Sequence, residues 1–201
     1  MKDPFVLLGV SRRPWIDSET LKQKFLSLSA DCHPDRVHQA TESQKRAAQD
    51  RFTELNTAYQ SLLDDRERLL HLAELELGRR AAEVQNIPAE LMTLFLEVGK
   101  LCREADAFLA EKAAQTSPLL KVQLFERAQI WIEQLRALQQ QVMQSRDLLL
   151  TEIKKMDVGW EMASAAEKGL RLRRLQEIAG LMNYSKKWNA QIQERIVQLS
   201  F

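Results

Sequence analysis

Apolar residues recur every three or four positions along most of the chain, which is the spacing of one face of an α-helix. Two such stripes lie in the first third, and they contain Leu21, Phe25, Leu28 and Cys32, then Ala48, Phe52, Leu55, Tyr59 and Leu62. Polar sequence separates the stripes, so we expect two helices that pair antiparallel. A short helical turn that begins at Asp3-Pro4 carries Phe5 and Leu8, which should close the end of their core.

Residues with strong helix-boundary preferences mark where these helices begin and end. Asp17 or Ser18 offers a side-chain oxygen to cap the first long helix. Pro34 stops that helix, because the residue before a proline avoids helical geometry. The helical pattern after the second stripe continues without a break to Gly78. We therefore predict an antiparallel helical hairpin with a short first helix at residues 1–77.

Three further stripes fill the rest of the chain, with breaks at 116–118 and 157–159. They contain Leu91, Leu94, Phe95, Val98, Leu101, Ala105 and Phe108, then Leu124, Trp131, Leu135, Leu138, Val142, Leu149 and Ile153, and last Met162, Ala166, Leu175, Ile178, Met182, Ile192, Ile196 and Leu199. Three long amphipathic helices with two short breaks predict an antiparallel three-helix bundle at residues 88–201, after a linker at 78–87. The predicted fold class is therefore all-α.

Composition excludes several classes of function. The chain carries 29 basic and 28 acidic side chains, and this balance argues against nucleic acid as a partner, because phosphate binding needs a basic surplus. No run of about 18 apolar residues exists to cross a membrane. Two cysteines among many charged residues fit a reducing cytoplasm. We therefore expect a cytoplasmic protein. There is neither a glycine-rich phosphate loop nor a nucleophile with its base, so we also expect that it is not an enzyme and has no cofactor.

The loop between the first two long helices contains the tripeptide His33-Pro34-Asp35. Pro34 rigidifies the turn, Asp35 presents a carboxylate that can pair with an arginine of a partner, and His33 offers a ring for hydrogen bonding. Taken alone, these are ordinary loop residues in most proteins. The other alternative is a metal site built from Cys32, His33 and His38. Since no second Cys/His pair has ligand spacing, we expect no metal.

The sequence around the tripeptide resembles the J-domain family over roughly residues 1–75. The matching residues are Asp3, Phe5, Leu8, Gly9, Leu21, Phe25, Leu28, the tripeptide, Leu55, Asn56, Thr57, Ala58, Tyr59, Leu62, Asp64 and Arg68. J-domains dock on a DnaK-type chaperone and stimulate its ATP hydrolysis, so that the chaperone closes on a client. The resemblance implies that the tripeptide, Arg36, Lys22 and Lys24 bind the chaperone.

The second helix departs from the J-domain family in its charge. Family members usually carry several basic residues there, whereas only Lys22 and Lys24 remain in this chain. Leu26 and Ser27 stand where basic residues are common, and Asp31 is acidic. The basic residues that can compensate are Arg12, Arg13, Arg36, Lys45 and Arg46. Electrostatic attraction to the chaperone should therefore be weaker than in typical members.

The part of the chain after residue 75 has neither the glycine- and phenylalanine-rich linker nor the cysteine-rich zinc domain of a general DnaJ. A J-domain followed directly by a helical bundle is similar to the HscB family of iron–sulfur cluster assembly. The segment 66–75, Trp160 and the segment 170–175 are similar to that family as well. This resemblance implies that the chain presents an IscU-type scaffold protein to an HscA-type chaperone.

By the same resemblance, Leu91, Met92 and Phe95 are client-binding residues on the first bundle helix. They also fit the bundle core, in which case they would contact no client. Leu91 and Met92 come just after Pro88, where packing is least complete, so we expect them to be exposed, whereas Phe95 is the stronger candidate for the core. Two other functions stay open: a J-domain protein with a different client, and a structural helical protein with a vestigial J-domain.

Overall fold

The computed structural model of the protein describes residues 3–32, 36, 41–79 and 89–201. Within these ranges the chain forms seven α-helices and no strand. The helices are α1 Pro4–Leu7, α2 Ser18–Ser29, α3 Glu42–Leu63, α4 Asp65–Leu77, α5 Ala89–Ala114, α6 Pro118–Asp157 and α7 Ala165–Ser200, and a 3-10 turn at Ala30–Cys32 follows α2. The all-α fold class is confirmed.

Contacts divide the chain into two compact units. The first comprises residues 1–82 and 152–179, and the second comprises 83–151 and 180–201. Contacts thus group 152–179 with the N-terminal residues, whereas the sequence predicted continuous domains at 1–77 and 88–201. Those boundaries stay a prediction, and most of the predicted linker, 78–87, lies outside the described residues.

Side-chain caps begin the helices of the first unit. Asp3 accepts a hydrogen bond from the backbone of α1 at 2.9 Å, and Asp17 accepts one from the Thr20 amide at 2.8 Å. Asp17 is therefore the N-cap of α2. Hydrogen bonds from the amide and the hydroxyl of Thr20 lower the pKa of the Asp17 carboxyl. Thr41 and Gln44 form a capping box at the start of α3.

Aromatic rings pack between α2 and α3. The Phe25 ring stacks on the Tyr59 ring with centroids 4.6 Å apart, and the Phe52 ring lies 6.3 Å from Phe25. The apolar side chains buried in the same unit include Phe5, Leu8, Leu21, Leu55 and Leu62. The two stripes and the short first helix therefore form one core, as their matching patterns predicted.

One member of the first stripe was assigned wrongly. Leu28 was expected in the core, but it is 38% exposed, and Ser29 is buried instead. The inward row of α2 runs through Leu21, Phe25 and Ser29 in steps of four residues, so Leu28 falls at its edge.

Asp64 divides what the sequence pattern presents as one long helix into α3 and α4. Its backbone is extended, with a ψ of 113°, and its carboxylate accepts a hydrogen bond from the Glu67 amide at 3.1 Å. A side chain caps a helix from such extended geometry, so the predicted unbroken helix is wrong here. The end at Gly78 is confirmed, since its φ of 66° is a left-handed conformation that glycine adopts without strain.

In the second unit, α5 and α6 run antiparallel. The Trp131 ring of α6 lies 6.2 Å from the Phe108 ring of α5. Arg127, four residues before Trp131, forms two hydrogen bonds at 2.6 and 3.0 Å to Glu111, which comes three residues after Phe108. A step back along α6 therefore corresponds to a step forward along α5. The buried side chains of this unit include Val98, Cys102, Ala105, Leu135, Val142, Ile192 and Ile196.

The last helix, α7, runs parallel to α5. Arg195 donates to the Asp106 carboxylate at 2.7 Å, and Lys112, further along α5, donates to the carbonyl oxygen of Leu199 at 3.1 Å. A helix that runs parallel to α5 is antiparallel to α6. The three helices therefore form the predicted three-helix bundle, in which consecutive helices are antiparallel.

Met162 was predicted to belong to the last helix, and this is wrong. It lies in the turn between α6 and α7 and is 91% exposed. Ser164 and Glu167 exchange hydrogen bonds between side chain and backbone, at 2.8 and 3.3 Å, and they form a capping arrangement. The helix therefore begins only after Ser164.

Candidate functional site

The tripeptide His33-Pro34-Asp35 lies outside the described residues, so the predicted chaperone site is described by its flanks. The helix α2 leads into the tripeptide, and α3 follows it along the chain. Arg36 is described, and its Nη1 lies 3.2 Å from a carboxylate oxygen of Asp31, with both side chains exposed.

The two predicted lysines of α2 are exposed and lie on opposite flanks of the helix. Lys22 and Lys24 are two positions apart, which is about 200° around a helix. The Lys22 Nζ lies 3.8 Å from the Glu19 carboxylate, one turn earlier. The structure therefore does not bring the two lysines together into one basic surface.

The loop between α1 and α2 is fixed by polar contacts within the first unit. Asp157 is only 6% exposed, and it accepts hydrogen bonds from the Arg13 Nε at 3.0 Å, from the Arg13 Nη2, and from the Trp15 amide at 3.2 Å. This contact with Asp157 raises the pKa of Arg13. The Trp160 indole N–H donates to the carbonyl oxygen of Arg12 at 2.9 Å. Four backbone and side-chain donors are thus satisfied around this loop.

Arg68 holds the same loop from within the N-terminal helices. Its guanidinium is buried, and it donates to the carbonyl oxygens of Pro14 at 2.9 Å and Leu62 at 2.7 Å. It also pairs with Asp65 at 2.7 Å. Sequence reasoning missed Asp157, because its partner Arg13 is 144 positions away and no local pattern links them.

The predicted client-binding residues of α5 do not share one environment. Leu91 is buried at 6% exposure, whereas Met92 is 42% exposed and Phe95 is 38% exposed. The expectation that Leu91 is exposed and Phe95 is core is therefore wrong. The inward face of α5 passes through Leu91, Val98 and Ala105 in steps of seven residues, and Phe95 falls at its edge.

Leu96, which the sequence analysis missed, is 60% exposed beside these residues. We call Met92, Phe95 and Leu96 the α5 patch. The Phe95 ring lies 6.3 Å from the Trp188 ring of α7, and Trp188 stacks with Tyr184 at 5.8 Å. The α5 patch is therefore continuous with aromatic rings of α7. Leu96 could have been found from the sequence, because residues 94–96 are three consecutive apolar residues. One buried helix face does not accommodate three in a row, so at least one of them must be exposed.

The C-terminal edge of the α5 patch carries a cation close to the helix backbone. A Cβ at Gly99 would lie 3.4 Å from the Arg103 Nη1, so the guanidinium lies over the glycine. A surface with apolar side chains on one side and a cation on the other suits a partner that presents both apolar and acidic groups.

Among the described residues, no three His, Cys, Asp or Glu side chains lie close enough to hold a metal ion. The alternative metal site included His33 and His38, which lie outside those residues. Cys32 and Cys102 are buried free thiols, and burial raises the pKa of the Cys102 thiol. None of the helices described above combines the length and the apolar character needed to cross a membrane.

Comparison with protein families matches residues 3–71 to the DnaJ domain. Two curated relatives, each named Co-chaperone protein HscB homolog, come from Burkholderia mallei (strain SAVP1) and Burkholderia pseudomallei (strain 668). Each is 36% identical over 77 residues, which is 37% of this chain and 44% of the relative. The matched part thus spans less than half the length of those relatives.

Solved structures extend the similarity in fold to nearly the whole chain. The crystal structure of human co-chaperone protein HscB matches with a TM-score of 0.63 at 17% identity, and the match covers 96% of this chain and 82% of that one. Chaperone HscB from Vibrio cholerae matches with a TM-score of 0.53 at 21% identity, covering 95% of this chain and 99% of that one. These likenesses show that the chain shares their fold.

Proposed function

We propose that this chain, whose residues 3–71 match the DnaJ domain, is a J-domain co-chaperone that stimulates ATP hydrolysis by a DnaK-type chaperone and delivers a client to it. The observation that carries the proposal is that this match includes His33-Pro34-Asp35 in the connection between α2 and α3. These residues perform no chemistry on a substrate. They act by favouring one conformation of the chaperone, so the chain needs no active site of its own.

The chaperone that we propose is of the HscA type, and the client is an IscU-type iron–sulfur scaffold protein. The support is the similarity to proteins named HscB, over 77 residues in sequence and over nearly the whole chain in fold. The cluster is then cargo of the client, and this chain does not hold it.

The α5 patch is the proposed client-binding surface. Met92, Phe95 and Leu96 expose 42%, 38% and 60% of their surfaces within two turns of α5. Apolar side chains surrounded by polar residues are typical of the few positions that dominate binding energy. Leu91 was predicted as a contact residue, but its burial supports a role beneath the patch, where it holds α5 in the bundle.

Delivery follows from the presence of both contacts on one chain. A client held by the α5 patch and a chaperone held by the J-domain are tethered to each other, which raises the local concentration of the client near the chaperone. The free thiols Cys32 and Cys102 fit a reducing compartment, so we propose that this takes place in the cytoplasm.

The test is a steady-state ATPase assay with the full chain and each purified DnaK-type chaperone of the organism that encodes it. We expect one chaperone to hydrolyse ATP faster with the chain, and faster still when an IscU-type scaffold is added. A pull-down of the scaffold by the chain measures client binding separately. Stimulation without scaffold binding would point to a different client. The absence of stimulation for every chaperone would favour a structural protein with a vestigial J-domain.

A further inference from the structure

The segment that forms α2 and leads through the tripeptide carries no net charge. Residues 18–36 contain three basic side chains, Lys22, Lys24 and Arg36, and three acidic ones, Glu19, Asp31 and Asp35. Lys22 lies 3.8 Å from Glu19, and Arg36 lies 3.2 Å from Asp31. Because opposite charges are neighbours, this surface produces little field to attract an acidic partner.

Basic residues elsewhere in the N-terminal helical hairpin were expected to compensate, but acids already engage three of them. The Arg12 Nη2 lies 2.6 Å from the Asp3 carboxylate, and the Lys45 Nζ lies 3.0 Å from Glu42. Arg13 is held by the buried carboxylate of Asp157. Three of the cations that the sequence offered for docking are therefore neutralised locally.

Each flank of α2 instead carries one exposed leucine. Leu26 follows Lys22 by one turn and is 48% exposed, and Leu28 follows Lys24 by one turn and is 38% exposed. The two leucines lie about 200° apart around the helix. Leu28 borders the inward row of α2, whereas Leu26 lies further from that row, between the exposed side chain of Gln23 and the half-buried side chain of Ala30 along the helix.

We propose that Leu26 anchors α2 on an uncharged, apolar surface of the DnaK-type chaperone, in place of attraction between opposite charges. This inference rests on the proposed function and names the chemistry of the partner's docking surface. A carboxylate packed against Leu26 would lose its hydration without gaining a cation, which is unfavourable. The same leucine therefore disfavours chaperones whose docking surface is acidic and selects one whose surface is apolar.

The experiment measures how much of the full chain is needed for half-maximal stimulation of the ATPase of the chaperone that responds. Between about 0.05 and 0.3 M salt we expect this concentration to change by less than about twofold, because salt screens charges and leaves apolar contact intact. Leu26→Ala should raise it by about tenfold or more, as expected for a central apolar anchor. Leu26→Lys should raise it as well, since an ammonium on an apolar surface loses its hydration.

Leu28→Ala is the matched control, because it removes the same side chain from the opposite flank of the same helix. We expect Leu28→Ala to lower the melting temperature slightly and to leave stimulation unchanged. Leu26→Ala should show the reverse, with an unchanged melting temperature and weaker stimulation. This crossed result separates docking from folding, because a purely structural role for Leu26 would move both quantities together.

Several outcomes would overturn the inference while the proposed function stands. These are a fall in apparent affinity of about tenfold at the higher salt concentration, tighter docking by Leu26→Lys, or equal losses from Leu26→Ala and Leu28→Ala. Sedimentation that finds a dimer of the wild type and a monomer of Leu26→Lys would assign Leu26 to a contact between two copies instead. If the wild type stimulates no chaperone at all, the proposed function and this inference fail together.

Discussion

The two helices that carry the proposed contacts, α2 and α5, have exposed surfaces of opposite character. On α2 the exposed leucines are single, each beside a lysine, and they lie on opposite flanks. On α5 the apolar side chains of Met92, Phe95 and Leu96 are neighbours and continue into the rings of α7. The α5 patch therefore offers more contiguous apolar area, and substitutions there should cost more binding energy than substitutions of charged residues on α2.

The supports of these two surfaces differ as well. The α5 patch lies beside the buried apolar face of α5, which contains Leu91 and Val98. In contrast, α2 begins after a loop that is held in place by polar contacts with Asp157 and Arg68. Loss of support should consequently appear as a packing defect in α5 and as an unpaired buried charge near α2.

The largest effect is expected from the buried neighbour of the α5 patch. Leu91→Ala should lower the free energy of unfolding by about 2–5 kcal/mol, because it leaves a cavity beneath α5. Met92→Ala is the control, since the exposed Met92 loses little packing. Urea denaturation followed by circular dichroism measures both. Equal stabilities of the two variants would mean that Leu91 contributes no more to the core than its neighbour does.

The next effect concerns the α5 patch itself. Replacement of Met92 and Leu96 by alanine together should weaken the binding of an IscU-type scaffold by about 30-fold or more, with little change in stability. The matched control replaces Ile130 and Leu148, two exposed apolar residues of α6, by alanine. Isothermal titration calorimetry measures the affinities. Binding that survives the first double substitution, or that the control also abolishes, would remove the α5 patch from the account.

A smaller effect is expected where the loop before α2 is held. Arg13→Ala leaves the buried Asp157 carboxylate with the Trp15 amide as its one remaining donor among the described residues. It should cost about 2 kcal/mol of stability, less than for a fully buried pair because Arg13 is partly exposed. Arg127→Ala removes an exposed arginine that also binds a carboxylate, and it should change stability too little to measure. If both variants are equally stable, the Arg13–Asp157 pair contributes no more to stability than an exposed ion pair does.

The smallest effect is expected for a charge of α2. Lys22→Glu should weaken association with the chaperone by less than about fivefold, and the difference should shrink as salt is added. The reason is that Lys22 is exposed and already has Glu19 as its neighbour. Surface plasmon resonance at several salt concentrations measures this. A loss that does not depend on salt would indicate that the substitution acts through folding of α2.

Local signals in the sequence were sufficient for most of the helices. The cap near Asp17, the end at Gly78 and the first bundle break follow from side chains and backbone preferences within one or two turns, so the pattern alone predicts them. The second bundle break was predicted at 157–159, whereas α7 begins only at Ala165. The same holds for the pairing of the stripes around Phe25 and Tyr59. What the pattern leaves open is how far neighbouring helices cover the edges of a stripe, and for that reason Leu28 and Phe95 were placed in the core.

Contacts between distant parts of the chain could not be predicted in this way. The pairing of Arg13 with Asp157 requires the folded first unit, because each residue on its own reads as an ordinary loop or helix-end residue. The break at Asp64 was missed for a different reason: an aspartate can continue a helix or cap one, and tertiary packing of α4 decides between these.

We propose that His33-Pro34-Asp35 makes this chain an activator of a DnaK-type chaperone, and single-turnover ATP hydrolysis is the decisive measurement. The wild-type chain should accelerate hydrolysis by a preformed chaperone–ATP complex. His33→Gln and Asp35→Asn should reduce the rate to that of the chaperone alone, while their melting temperatures match the wild type. If both variants accelerate hydrolysis as much as the wild type does, the tripeptide is not the activating element.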